Sequence, residues 1–261
     1  MRVLTWNLWW RFGDWQQRAD AIASVLCETR PDVVGLQEVW ATDAENQGQQ
    51  LADTLGLHWA WSPSPDSQRW QRRAGQPGVE VGNAVLSRWP LLEQERRLLP
   101  AARGTAGDRT VLHTLIDAPG GTLPFFTTHL DAATDGSATR CRQVEAVARL
   151  VADHPGDRPA VVTGDLNAEP ESDELRLLGG HLTAPPVAGL VLVDAWRWAP
   201  DGDPGWTWDR RNPHINSSPS ARIDYVLVGL GADVADVRLV GDEPVDGVWA
   251  SDHAAVLADL I

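Results

Sequence analysis

Strand-like runs outnumber helical ones along this chain, and four of them follow one another with no helix between. "RVLTWNL" and "DVVGLQEV" read as strands near the start. "LHWAWS", "NAVLSRW", "RTVLHTLID" and "LPFFTTHL" then succeed each other, with Gly or Pro in the gaps. "AVVTGDLN", "RIDYVLVG", "ADVRLV" and "AAVLADLI" close the set. Helical spacing is confined to a few segments. Trp15, Ala19, Ile22 and Leu26 form one stripe, stopped by Arg30-Pro31-Asp32, and Val144, Val147, Ala148 and Val151 form another, with Ser137 as its cap. A polar helix is expected from about Asp43 to Gly56, and a short one opened by Pro170 and ended by Gly179-Gly180. A doubly wound sheet alternates strand and helix, so this chain has too many strands for it. Consecutive strands with short turns pair antiparallel. The pattern predicts an α/β chain of two packed mixed β-sheets with helices outside, in one domain spanning 1–261.

Two polar stretches, 62–79 and 199–220, are too long for ordinary connections and are expected to be functional loops. The opening "MRVLTWNLWW" has no continuous apolar core of the signal-peptide kind. No run approaches the roughly 18 apolar residues of a membrane span. Cys27 and Cys141 lie far apart and outside any CxxC, the pattern of a reduced, cytoplasmic protein. A monomer is expected. The formal charge of −14 repels polyanions and gives no general affinity for nucleic acid or acidic membrane.

Polar residues interrupt or end the apolar runs at recurring places. Asn7 breaks "VLTWNLWW" and Glu38 ends "VVGLQEV". His129 and Asp131 follow "FFTT", and Asp165 and Asn167 follow "VVTG". Asp224 shares a strand face with Val226 and Val228. Asp252 and His253 precede the last strand. Taken singly, each reads as turn or cap chemistry. Together they supply hard oxygen ligands and imidazoles. Converged in one pocket, Glu38, Asp165 and Asp252 would repel, and a hard divalent cation would relieve that repulsion. No nucleophilic Ser or Cys motif, zinc-type His/Cys spacing or phosphate-binding P-loop is present.

In order and spacing, "TWN", "LQEV", "TTHLD", "GDLN", "RIDYV" and "SDH" resemble the endonuclease/exonuclease/phosphatase superfamily, the deoxyribonuclease-I-like phosphoesterases. The resemblance runs from Asn7 to His253. It implies a four-layer α/β sandwich, two face-to-face mixed β-sheets flanked by helices, with the site at one edge. It also implies Mg²⁺ or Mn²⁺ as cofactor. By position, Glu38, Asp252 and Asn7 match the metal side, Asn7 orienting metal or phosphate. Asp165 matches the aspartate that positions or deprotonates the attacking water, and Asn167 the asparagine that holds the phosphate or that aspartate. His253 matches the histidine against the scissile phosphate, with Asp224 fixing its ring. His129 stands where relatives carry a phosphate-contacting side chain; Asp131 fits a turn role equally well.

The implied activity is hydrolysis of a phosphodiester: small and nucleotide-like, nucleic acid, or a lipid headgroup. An endonuclease or exonuclease acting on DNA or RNA is the alternative, and a catalytically inactive binding module of the same fold is a third reading. Specificity is expected in the loops. Arg69, Arg72 and Arg73 around Trp70 suit phosphate contacts with base stacking, and Trp206 and Trp208 are candidates to wall the pocket. The strong negative charge tilts the expectation towards a small substrate.

Overall fold

The computed structural model describes residues 1–102, 107–215 and 218–261. In chain order its elements are β1 (Arg2–Asn7), α1 (Trp15–Thr29), β2 (Val33–Ala41), α2 (Gln47–Leu55), β3 (His58–Pro63), α3 (Gln68–Ala74), β4 (Glu80–Ser87), β5 (Leu91–Leu98), β6 (Thr110–Ala118) and β7 (Gly121–His129). There follow α4 (Ser137–Asp153), β8 (Val161–Asp165), α5 (Asp173–Gly179), β9 (Leu192–Asp194), a 3-10 turn at Ala195–Trp198, β10 (Asp224–Gly229), β11 (Val234–Val240) and β12 (Ala255–Leu260).

The strands form two six-stranded sheets, ordered β11-β12-β1-β2-β4-β3 and β5-β6-β7-β8-β10-β9. Each sheet contains one parallel pair, β1 with β2 and β7 with β8. Each pair is joined by a crossover helix, α1 or α4, as parallel pairing requires. Val3, Val33, Val85, Phe125, Val161 and Val226 belong to one core between the sheets. Leu4, Leu36 and Leu86 pack on the opposite face with Ile22 and Leu26 of α1, and Phe126, Val162 and Tyr225 with Val144 and Val147 of α4. The central strands are therefore buried on both faces, which explains why they read as nearly continuous apolar runs. The four-layer α/β sandwich follows.

Between the sheets the contact is close at Gly35. A Cβ there would lie 2.1 Å from Thr163 Oγ1 and 2.8 Å from Thr127 Oγ1. Nearby, Gln37 Nε2 donates to Thr127 Oγ1 at 2.9 Å and to Thr5 Oγ1 at 3.1 Å. The inter-sheet core thus turns from apolar to polar towards the ends of β1, β2, β7 and β8.

Several local expectations change. The 62–79 stretch contains α3, because Trp70 buries against Trp10 and Phe12. Helix α2 starts at Gln47 rather than near Asp43: Thr42 to Asn46 close a tight loop, and the Asn46 side chain accepts from the Gly48 and Gln49 amides. Helix α5 starts at Asp173 on a Ser172 cap, not at Pro170. Ser137 is the first residue of α4 and caps nothing; Gly136 is the flanking residue. Strand β5 carries charge on an exposed sheet edge, which hides it from an apolar-run reading. Residues 216 and 217 of the 199–220 stretch lie outside the described residues.

Candidate active site

The two crossover units point the same way, so β1 and β2 of one sheet and β7 and β8 of the other end at one edge. Asn7, Glu38, His129 and Asp165 occupy or adjoin those carboxyl ends. Strands β10 and β12 run antiparallel to their neighbours, so their starting ends reach the same edge. They bring Asp224, paired in register with Asp165, and the preceding Asp252 and His253. Ligands of open α/β sheets bind outside the carboxyl ends of strands.

Local backbone devices aim the side chains. Strand β2 shifts register against β4 between Leu36 and Val39, where three steps on one strand oppose two on the other. Within this bulge Glu38 has φ +53°. A bulge re-aims a side chain next to a site, and a non-glycine residue in the left-handed region stores strain that the surroundings must hold. Gly164, before Asp165, has φ +152°, and a Cβ there would meet Thr128 O at 2.1 Å. Glycine is required so that β8 can approach β7 and deliver Asp165.

Asn7 Nδ2 donates to Asp165 Oδ2 at 3.0 Å and to Glu38 Oε1 at 3.3 Å. Its oxygen accepts from Trp9 N at 3.0 Å, so Asn7 stands beside the carboxylates as a donor. The Asn167 amide donates to Asp165 Oδ1 at 2.9 Å, and the Asn167 side chain donates to Leu130 O. His129 Nε2 lies 3.4 Å from Asp165 Oδ2. His253 Nδ1 contacts Asp224 Oδ2 at 2.8 Å, and its Nε2 faces Asp165 at 3.8 Å and Asp252 at 4.0 Å. Asp131 caps a turn, accepting from Ala133 N.

Burial raises Glu38 to about 7, partly opposed by His253 and the Asn7 hydrogen bond. Burial and the Asp224 charge raise Asp165 to about 6. Burial raises Asp252 to about 7, with Glu38 adding to the shift. Burial alone would lower His253; the Asp224 charge and hydrogen bond, helped by Asp252 and Asp165, carry it well above its ordinary value. His129 goes the other way, lowered well below by burial and by Arg109. One imidazole is thus held charged and the other neutral.

The donor set fits a hard divalent cation. Glu38 Oε2 is buried and has no hydrogen-bond partner among the described residues, and an unpaired buried carboxylate oxygen is costly unless something compensates it. Asp165, Asp224 and His253 also bring ligand-type atoms within 4.8 Å of one another. There, however, His253 Nδ1 and Asp224 Oδ2 already satisfy each other, so that trio acts first as an acid–imidazole pair.

A cavity of about 170 Å³ opens over these groups. Trp9, Phe12 and Trp208 line it, together with Arg69, Arg73 and Arg109. Trp208 stands edge-on to the His253 ring at 4.9 Å. Arg72 does not line the cavity and contacts Gln68 instead. Trp206 is exposed and also stands outside it. Trp70 does line the cavity, although the aromatic cluster leaves it little free surface.

Two arginines escaped the sequence pattern. Arg109, 7% exposed, has an Nε with no hydrogen-bond partner among the described residues, 3.7 Å from Asp108 Oδ1, and lines the cavity together with His129 and Glu38. At the start of an apolar run it looks like an ordinary flanking charge. Arg18, 2% exposed, donates to the carbonyls of Leu8, Trp9, Trp10, Phe12 and Ala250. It clamps the segment after Asn7 and the one before Asp252. The available signal was helical spacing: position 18 falls on the stripe of Trp15 and Ile22.

The model of the Endonuclease/Exonuclease/phosphatase family matches residues 4–253. Tyrosyl-DNA phosphodiesterase 2 of Xenopus laevis is 26% identical over 279 residues, covering 98% of this chain and 65% of that protein. The Gallus gallus protein of the same name is 27% identical over 277 residues, again covering 98% and 65%. The chain therefore spans about two thirds of the length of these curated relatives. Among solved structures, an endonuclease/exonuclease/phosphatase from Beutenbergia cavernae is 28% identical, with a TM-score of 0.74 over 100% of this chain and 71% of that one. D. rerio TDP2 complexed with a single-strand DNA product has a TM-score of 0.78 at 21% identity, covering 100% and 98%. Among the described residues no helix is long and apolar enough to cross a membrane.

Proposed function

Because this chain belongs to the endonuclease/exonuclease/phosphatase family, we propose that it is a divalent-metal-dependent phosphodiesterase in which residues 1–261 form one catalytic domain. The observation that carries this reading is that a buried carboxylate oxygen, Glu38 Oε2, with no hydrogen-bond partner among the described residues, shares a cavity rimmed by three arginines with a charged imidazole, His253.

Glu38 and Asp252 would hold Mg²⁺ or Mn²⁺, with Asn7 orienting Glu38. Bound there, the cation would neutralise developing charge on the phosphoryl group and leaving oxygen. Asp165, raised to about 6 and fixed by Asn7 and the Asn167 amide, is poised to orient the attacking water and take its proton. His253 directs its Nε2–H towards the space between Asp165 and Asp252, where it donates to a phosphoryl oxygen. His129, kept neutral, holds Asp165 on its other side. Arg69, Arg73 and Arg109 attract the phosphate against a net chain charge of −14.

The cavity supports a narrower substrate class. At about 170 Å³ it is smaller than the roughly 300–1,000 Å³ of typical ligand sites. It has room for a phosphate and one flanking ring against Trp9, Phe12 and Trp208. That favours a small diester or the end of a single strand over a duplex interior. The strand-end reading draws added support from the D. rerio relative's single-strand DNA product. Both cysteines are free, in keeping with a cytoplasmic setting, and a monomer suffices because one chain supplies every site residue.

The test is a hydrolysis screen with Mg²⁺, Mn²⁺ or excess EDTA. It sets bis-p-nitrophenyl phosphate against its monoester, single-stranded and plasmid DNA, RNA and sphingomyelin. Diester hydrolysis that EDTA abolishes is expected, with Glu38→Gln losing the metal response. Full activity in EDTA, or activity on the monoester alone, refutes the reading.

A further inference from the structure

We propose that Thr207 is a positioning residue for the Asp224–His253 pair, tying together the two sheets that supply its members. The proposal rests on the phosphodiesterase reading only in taking that pair as part of the site.

Asp224 begins β10, in the second sheet, and His253 leads into β12, in the first. No strand pairing sets the distance between them, because the two strands share no ladder. Yet the Nδ1–Oδ2 contact is 2.8 Å in a region where both side chains are buried. A contact between separate layers needs something to hold the layers in place.

Thr207 makes that connection. It is 1% exposed. Its hydroxyl accepts from the backbone amides of Ile223 at 3.1 Å and Asp224 at 3.2 Å. Its carbonyl accepts from the amide of Ala254, next to His253, at 2.8 Å. One residue thus bonds the member of the pair on one strand and the neighbour of the member on the other. The hydroxyl also fills a gap in the sheet. Strand β9 pairs with β10 only from Leu227 to Gly229, so among the described residues no strand satisfies the Asp224 amide on that side. A buried amide without a partner is costly.

The surrounding segment is built to keep Thr207 in place. Trp208 exchanges two backbone hydrogen bonds with Ala221, and its ring lies edge-on to His253. Asn212, 4% exposed, donates from Nδ2 to Ser251 O at 2.8 Å. Ser251 Oγ in turn accepts from the His253 amide at 3.2 Å. The 199–220 stretch thus contributes more than a pocket wall: residues 207–212 brace the acid–imidazole pair from behind.

Thr207→Val keeps the shape and removes the hydroxyl; Thr207→Ser keeps the hydroxyl. Two readouts are taken, below each variant's melting temperature. The first is kcat and KM for bis-p-nitrophenyl phosphate with Mg²⁺. The second is the proton resonance of the His253 Nδ1–H in metal-free protein, assigned by its loss in His253→Ala. Thr207→Val should lower kcat about ten- to hundredfold, the scale of a sub-ångström to 1 Å misplacement, with KM changed less than about twofold. Its Nδ1–H resonance should shift or broaden, and Thr207→Ser should restore both signals. The proposal is overturned if Thr207→Val keeps wild-type kcat and an unmoved resonance, or if Thr207→Ser behaves like Thr207→Val. If Thr207→Val does not fold, Asn212→Ala, which releases the other end of the brace, carries the same expectations and the same refutation. If the wild-type protein hydrolyses no diester, the functional reading fails, and the resonance comparison still decides the role of Thr207.

Discussion

Replacing Asp224 by Asn should turn a pH-tolerant enzyme into one that works only in acid. In the wild-type structure Asp224 is fully buried and its Oδ2 lies 2.8 Å from His253 Nδ1. Burial by itself lowers His253, and the Asp224 charge is the largest effect opposing it. Without that charge the imidazole falls back towards its ordinary range, with only Asp252 and Asp165 still opposing the effect of burial. At pH 8 much of that charge is then lost, so kcat should fall by up to about 10²-fold, the scale for losing one charged transition-state donor. At pH 6 the loss should shrink to a few-fold. The sign follows from which form works: activity needs the imidazolium, so the alkaline limb moves to lower pH when the pKa drops. Asp224 also raises Asp165, so the acid limb should move down too. His253→Ala should lose about 10²-fold at every pH, the scale for one charged transition-state donor. The double variant should be no worse than His253→Ala, because both act through one group. The assay is a pH–rate profile on an aryl phosphodiester at saturating Mg²⁺, with melting temperature measured alongside to show that each variant is folded. Equal losses at pH 6 and pH 8 for Asp224→Asn, or additive losses in the double variant, would refute the pair as a unit.

Two further outcomes follow from the same geometry. Glu38, Asp165 and Asp252 hold protons up to about 7, 6 and 7, against unfolded values near 4. In EDTA, thermal stability should therefore fall as pH rises from about 5 to 8; added Mg²⁺ should raise the melting temperature more at pH 8 than at pH 5.5, and a pH-independent gain would count against metal at these carboxylates. Arg69→Ala and Arg73→Ala should raise KM for the preferred substrate while barely changing turnover of a minimal aryl diester, whereas Arg72→Ala should leave both unchanged; an Arg72 effect as large as the others would mean the helix, not the cavity lining, matters.

Sequence order alone made most of the site legible, for a physical reason. A central strand buried on both faces tolerates few polar residues, so Asn7, Glu38, Asp165 and Asp224 stand out wherever they interrupt one. The helices were legible where an apolar stripe packs on a sheet, as in α1 and α4. What stayed hidden depends on contacts distant in sequence. The bulge at Glu38 exists only against β4. Helix α3 forms because Trp70 finds Trp10 and Phe12. Arg109 and Thr207 resemble ordinary flanking and loop residues until the two sheets are stacked. Strand β5 carries its charges at an edge, where apolar patterning is weakest.

The location of the site follows from how the two sheets meet. Away from the site, valines and Phe125 fill much of the space between them. Nearer to it, Gly35 lets Thr127 and Thr163 approach the opposite sheet, and Gln37, held by Thr5 of its own sheet, bonds to Thr127 across the gap. An apolar core resists separation but is indifferent to small slides, since dispersion and burial have little direction. Hydrogen bonds between the layers fix their relative position, because their geometry is narrow. Such a lock matters most where the groups of the candidate site come from both layers: Asn7, Glu38 and His253 belong to one, His129, Asp165 and Asp224 to the other. Displacing one sheet would misalign all six at once. The polar wedge and the tie through Thr207 therefore stand where a slide would do the most damage, on either side of groups whose catalytic geometry no single sheet determines.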